Sequence, residues 1–293
     1  MKNLILKKFF AAIIISAVLC VSCSDDDNSV NYPTDPLSIT IKADGTTSNG
    51  AKFAPASNDS FYLDYVLYKI VDSHLEVIGC DKSEIKGDVK IYSPINYLGV
   101  SYNVRSVEEE AFRENNKITN IHLPDCIQVL GWCAFFKCTN LKSINFPSEL
   151  SNIHAGCFSR CQNLNEVIFP KNLTSIGGDA FKECGYLGNV IVPASCKKIN
   201  QNAFSYCSFK NLTIENGVEY IFYRAFSFCK IENLTLPQTL KYRHHQNDDG
   251  FSISHEVFYN ANINKVTANL SHWTEMEKES FFSGANINNM SIY

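Results

Sequence analysis

The chain has 293 residues, with 26 Lys and Arg against 30 Asp and Glu and a formal net charge of −4. No basic patch accompanies that balance, which argues against a nucleic-acid-binding class, since phosphate neutralisation needs clustered cations. The length leaves room for one long domain or two short ones.

The first residues constrain location more than the rest of the chain does. Lys2, Lys7 and Lys8 precede an apolar run from Phe9 to Ser22. Basic residues, a short apolar stretch and small residues before a cleavage point describe a secretory signal, and the run is too short for a membrane span. The run ends Leu19-Cys20-Val21-Ser22-Cys23, followed by Ser24-Asp25-Asp26-Asp27. This junction resembles a bacterial lipoprotein precursor, which implies cleavage after Ser22 and acylation of Cys23. Cys20 departs from the usual leucine. The Ser-Asp-Asp-Asp that follows is similar to the surface-export tag of Bacteroidetes lipoproteins, and implies an exported, outer-membrane lipoprotein facing outward. Residues 1–22 carry three lysines and no acid, so their removal moves the net charge from −4 to −7. Residues 23–36 are acidic and poor in bulky apolar groups, as in a flexible tether.

Residues 37–103 are expected to form a small β-rich N-terminal cap. Residues 37–60 hold one strand and a polar loop. Tyr65–Ile70, Leu75–Gly79, Val89–Tyr92 and Tyr97–Val104 alternate as strands do, with Gly87 and Pro94 at turns.

From residue 104 a period dominates. Phe112, Phe135, Phe158, Phe181, Phe204, Phe226, Phe258 and Phe282 are separated by 23, 23, 23, 23, 22, 32 and 24 residues, most preceded by alanine. An aliphatic residue lies five positions before each of the first seven: Val107, Leu130, Ile153, Ile176, Ile199, Ile221 and Ile253. Glu277 breaks the pattern in the last unit. Apolar triplets follow each Phe, such as Leu141/Ile144/Phe146 and Ile231/Leu234/Leu236, and their last two members alternate as in a half-buried strand. Pro124, Pro147, Pro170 and Pro193 end those strands at one offset. Each unit reads as a short strand, a Pro-marked turn, a short apolar link, and an Ala-Phe segment in a helical or 3₁₀ turn. No unit buries its own apolar side, so the units must stack.

The pattern L-x-x-I-x-I-P-x-x-L-x-x-I-x-x-x-A-F-x-x-C, over residues 104–293, resembles the BspA-type leucine-rich repeat of bacterial surface proteins. The expected fold is therefore an α/β repeat solenoid, a right-handed leucine-rich-repeat superhelix of about eight units with parallel strands, preceded by the β cap. An insertion near 241–252 accounts for the 32-residue spacing.

Twelve cysteines in an exported chain would ordinarily indicate disulfides. Their phase favours packing: Cys138, Cys161, Cys184, Cys207 and Cys229 each lie three residues after a repeat Phe. They fill one inward slot, where a free thiol behaves as a small hydrophobe. Stacked rungs about 4.8 Å apart lie within disulfide reach, so spacing leaves bridges open, although parallel side chains make their geometry poor. A zinc site needs converging Cys/His pairs, and one thiol per turn does not supply them.

No catalytic constellation appears, and neither a metal nor any other cofactor is expected. His255-Glu256-Val257-Phe258-Tyr259 begins like H-E-x-x-H, but Tyr259 stands where the second ligand belongs. His244-His245 beside Asp248-Asp249-Gly250 reads as a solvated loop. The candidate binding face consists of outward residues on the repeat strands. One column is Asn120, Ser143, Glu166, Asn189, Asn211, Asn233, Lys265, Asn289, and the next is His122, Asn145, Ile168, Ile191, Thr213, Thr235, Thr267, Ser291. By resemblance this is the ligand face of a leucine-rich repeat, although Asn and Thr also suit any exposed sheet. Tyr242, Arg243, His244 and His245 form a candidate binding loop. The expected function is non-enzymatic binding and adhesion to a host or matrix protein, with membrane contact only through the lipid anchor. The alternative is a glycan-capture lipoprotein, which an exposed Trp or Tyr platform would favour. Trp132 and Trp273 both fall off the columns.

Overall fold

The computed structural model of the chain describes residues 37–242 and 254–292. The expected signal, the tether with Cys23, and Arg243, His244 and His245 lie outside them.

The first strands are β1 (Ile39–Ile41), β2 (Phe53–Pro55), β3 (Ser60–Leu63), β4 (Val66–Val71), β5 (His74–Cys80), β6 (Gly87–Lys90), β7 (Ile95–Tyr97) and β8 (Val100–Val107). Strands β2 to β5 pair antiparallel in chain order, and β5 then pairs parallel with β8. The expected strand over Tyr97–Val104 is instead a hairpin between β7 and β8. Leu98 and Gly99 both have positive φ and form its two-residue turn, the geometry that matches strand twist. Phe61 packs against Phe53, Tyr68 and Tyr97 at ring distances of 4.9–5.7 Å.

The later elements are β9 (Ile118–His122), β10 (Val129–Leu130), β11 (Ser143–Ile144), β12 (Asn152–Ile153), β13 (Ser175–Ile176), β14 (Gly185–Val192), β15 (Lys198–Ile199), β16 (Cys207–Ile214), β17 (Tyr220–Ile221), β18 (Lys230–Leu236), β19 (Asn262–Ala268), α1 (Glu275–Phe281) and β20 (Asn286–Ile292). They build a repeat solenoid of mostly parallel strands, with two ladders rather than the single one expected.

The first ladder replaces the expected apolar link. Strands β10, β12, β13, β15 and β17 stack parallel on β8, aligning Val107, Leu130, Ile153, Ile176, Ile199 and Ile221. This ladder continues the N-terminal sheet into one twelve-stranded sheet. The second ladder carries the expected strands but is interrupted. Strands β6, β9 and β11 form one sheet, and β14, β16, β18, β19 and β20 form another. Between them, Glu166 and Ile168 lie on a segment without strand pairing, although Leu164, Val167 and Phe169 remain buried. The first four units carry one more residue between Phe and the apolar triplet than the later four, and the pairing of β14 with β16 carries two compensating register shifts around Gly188.

The Ala-Phe segments are turns, not helices. In the first seven units the residues two before and two after the repeat Phe are left-handed, as at Glu110 and Glu114, Cys133 and Lys137, and Asn202 and Tyr206. Alternating hands point alternate amides at the next repeat. Phe112 donates to the Ala134 carbonyl at 2.8 Å, Phe158 to Ala180 at 2.7 Å, and Phe204 to Ala225 at 2.8 Å. A helix would turn those amides onto its own carbonyls and leave the rungs unlinked. The single helix among the described residues, α1, has a capping box between Thr274 and Glu277, which explains why Glu277 departs from the repeat pattern.

Inside, the eight repeat phenylalanines form one stack. Successive rings lie 5.1–5.4 Å apart and within 15° of parallel, from Phe112 to Phe282.

Candidate functional site

The repeat strands alternate an inward side chain with an outward one, so parallel pairing turns sequence positions into columns. Asn189, Asn211, Asn233, Lys265 and Asn289 are direct partners across β14, β16, β18, β19 and β20. Ile191, Thr213, Thr235, Thr267 and Ser291 form the neighbouring column. The amides of the first column are linked: Asn211 donates to Asn189 Oδ1 at 2.7 Å, and Asn233 donates to Asn211 Oδ1 at 3.0 Å.

On the other sheet, Ser143 pairs with Asn120 and donates to its Oδ1 at 2.7 Å, while Asn120 donates to Asp88. Beside them His122 is exposed. Asn145 has a different task. Its amide accepts from the Leu123 N–H and donates to the Leu123 carbonyl, both at 2.7 Å, and so closes the end of β9. Glu166 and Ile168 are exposed on the unpaired segment. Ile168 and Ile191 are 51% and 56% exposed, an apolar step on an otherwise polar surface.

Of the candidate loop, only Tyr242 is described. Its hydroxyl donates to Ser280 Oγ at 2.6 Å and its ring meets Trp273 edge-on, which holds it against α1.

Exposed aromatics missing from the sequence columns occur elsewhere. Tyr186 on β14 is 54% exposed. Tyr206 and Phe228 stack at 4.5 Å with their rings 3° apart, both exposed. They occupy the left-handed position two after the repeat Phe, where earlier repeats carry Glu114, Lys137, Arg160 and Glu183. That switch from charge to ring was readable, but only once this position was known to face outward. Nearby, Arg224 lies over the rings of Tyr223 and Tyr259 and bonds Glu256 at 2.8 Å. Glu256 is thus held by an arginine, and His255 packs on Tyr223 at 4.8 Å.

The ten described cysteines are unbridged. Burial pushes the column thiols up, to about 12 for Cys138 and Cys207 and well above the ordinary range for Cys161, Cys184 and Cys229. A thiol held protonated is a poor nucleophile and a poor metal ligand. Among the described residues no group of three or more His, Cys, Asp and Glu is placed to hold a metal ion, and no helix is long and apolar enough to cross a membrane.

The family described as BspA type Leucine rich repeat region matches the chain in six copies, over residues 88–209, 179–247 and 197–293. The chain belongs to this family. Membership points to a repeat-based protein-interaction scaffold, and no catalytic family is indicated. Among solved structures, the chain is similar to a leucine-rich repeat protein from Bacteroides ovatus at 19% identity, covering 80% of this chain and 76% of that one, with a TM-score of 0.48. It is similar to the T. pallidum Leucine Rich Repeat protein at 18% identity, covering 78% and 97%, with a TM-score of 0.43. A leucine-rich repeat protein from Bacteroides capillosus is 24% identical over 39% of this chain and 85% of that one, with a TM-score of 0.37. No curated protein matches the chain.

Proposed function

We propose that this BspA-type protein is a surface-anchored, non-enzymatic scaffold that binds a host or matrix protein through its outward strand columns. The observation that carries the reading is the apolar step of Ile168 and Ile191, each more than half exposed, beside linked neutral amides. An apolar centre with a polar, hydrogen-bonding surround is the composition of a protein interface. The proposal includes the remaining parts of the architecture. Residues 37–103 cap a right-handed superhelix of residues 104–293, residues 23–36 space it from the membrane, and acylated Cys23 anchors it. Several acyl chains on one cysteine hold firmly, at about 0.8 kcal/mol per buried methylene.

Immobilised extracellular-matrix proteins probed with the full chain and with the double variant Ile168→Lys/Ile191→Lys test the binding face. At least one protein should bind wild type, and the variant should lose about tenfold or more in affinity with an unchanged melting temperature. Binding to none of them, or equal binding by both chains, contradicts the reading. Fatty-acid labelling lost in Cys23→Ala tests the anchor, and labelling that survives the substitution refutes it.

A further inference from the structure

A groove of about 480 Å³ crosses the beginnings of the long strands, next to the asparagine column above. We propose that it is a binding site for a neutral oligosaccharide. The groove begins at Tyr186 on β14 and runs past Ser208 on β16 and Lys230 on β18 to Asn262 on β19 and Asn286 on β20. Five strands at about 4.8 Å spacing make it roughly 19 Å long, a length for a chain of sugars rather than one ring.

The lining sets an apolar floor of Phe209, Ile231 and Ile263 beside amides that can meet hydroxyls. Asn286 donates to Asn262 Oδ1 at 3.2 Å, and Asn288 donates to Asn264 Oδ1 at 3.3 Å. Each carboxamide offers two donors and an acceptor oxygen with two lone pairs, so each pair keeps most of its capacity for a ligand. A sugar hydroxyl, donor and acceptor at once, matches this supply. Lys230 and Glu232 contribute one charge of each sign, which gives a polyanion nothing to gain. An extended peptide is disfavoured for a separate reason. A peptide lying along the groove would cross the strands rather than run beside one, so it could not pair with the edge strands β14 or β20 as an added strand does.

Tyr186 supplies the apolar contact. Its ring leans over the bulge at Gly188, where a Cβ would sit 3.9 Å from Cε1, and over half of the residue stays exposed. An aromatic face of this kind fits the C–H face of a pyranose, with the hydroxyl at its wet end. Two residues before Ser208 and Lys230 the chain carries the exposed, stacked Tyr206 and Phe228, within roughly 7 Å of backbone.

Calorimetric titration of the full chain tests the site, with neutral hexasaccharides of glucose, mannose and galactose, a sulfated hexasaccharide, and an end-capped extended peptide as probes. At least one neutral hexasaccharide should bind, with an affinity that changes less than about twofold between low and high salt, because amides carry no charge to screen. Tyr186→Ala and the double variant Asn264→Ala/Asn288→Ala should each weaken binding about tenfold or more at an unchanged melting temperature. Tyr186→Trp, which keeps a ring, should retain it. Binding of only the sulfated sugar or the peptide, no binding of any neutral sugar, or wild-type affinity in both loss variants overturns the proposal.

Discussion

The thiol of Cys184 donates a hydrogen bond to the carbonyl oxygen of Phe158, one repeat earlier, at 3.0 Å. The relation recurs from Cys138 to Phe112, Cys161 to Phe135, Cys207 to Phe181 and Cys229 to Phe204, at 3.0–3.1 Å. Four of these carbonyls also accept the amide of their own repeat's cysteine, as Phe158 does from Cys161 at 3.0 Å. Cys138, Cys161, Cys184 and Cys207 therefore close a turn with the N–H and stitch to the previous rung with the S–H, and Cys229 makes the S–H stitch. Packing explains why the slot is small and buried. The shared carbonyl explains why a weak donor suits it better than alanine.

Separating those two contributions needs two substitutions. Cys184→Ala removes the bond and leaves a void, and should cost about 1–3 kcal/mol in urea unfolding. Cys184→Val fills the slot without a donor. Its cost should be smaller, about 0.5–1.5 kcal/mol, since Phe158 O keeps a bond from Phe158's own repeat. Equal, negligible effects for both would mean that the slot carries no stability.

Alkaline pH should destabilise the protein through the same column. The folded thiols are pushed above their ordinary value of 9.0 by burial, and the unfolded ones are not. Below about pH 9 both states hold the proton and the stabilisation is complete. Above it the unfolded chain loses protons that the folded chain keeps, so stability falls as pH rises toward the folded values, about 12 for Cys138 and Cys207. Each thiol contributes a slope of about 1.4 kcal/mol per pH unit. Cys184→Ala should flatten the measured slope by one such increment between pH 9 and 11, and an unchanged slope contradicts the assignment.

Phe158 lies 5.1 Å from Phe135 and 5.2 Å from Phe181 within the ring stack. Phe158→Ala should cost about 3–5 kcal/mol. The loss should spread to both neighbours, because each unit is stable only through the adjacent ones. Hydrogen exchange should accelerate at the amides of Phe135 and Phe181 as well as locally. Acceleration confined to repeat Phe158 would show that the rungs are independent.

Gly177 is required by close contact between rungs. A Cβ there would lie 2.6 Å from the His154 carbonyl carbon and the Ala155 nitrogen. Gly131 meets the backbone at Glu108 and Glu109 in the same way, at 2.7 Å. Backbone cannot yield as a side-chain tip does, so Gly177→Ala should destabilise by about 1–3 kcal/mol, the range for overpacking. A neutral result would show that the rungs can separate locally.

The period, the phenylalanine stack and the cysteine column were legible because each occupies one residue type at one offset. Two features were not. The ladder through Leu130, Ile153 and Ile176 is built from strands of two residues, too short for alternation to register. The left-handed turns around Ala-Phe are mostly occupied by Glu, Lys, Arg, Asn and Tyr rather than glycine, so no composition signal marked them. The outward columns were read in the right partners from Asn189 to Asn289. Their interruption at Glu166 left no mark in the sequence, because Leu164, Val167 and Phe169 keep the same apolar spacing as the paired units on either side. Tyr186 escaped notice because it precedes the apolar triplet that defined the strand.

Thiol labelling of the full chain, read residue by residue by mass spectrometry, tests most directly whether the cysteine column is a buried core and not a reactive site. In the native protein at mildly alkaline pH, Cys138, Cys161, Cys184, Cys207 and Cys229 should remain unlabelled over hours. After denaturation without reductant, all five should label. Rapid native labelling would contradict their burial, and resistance after denaturation would contradict the unbridged column.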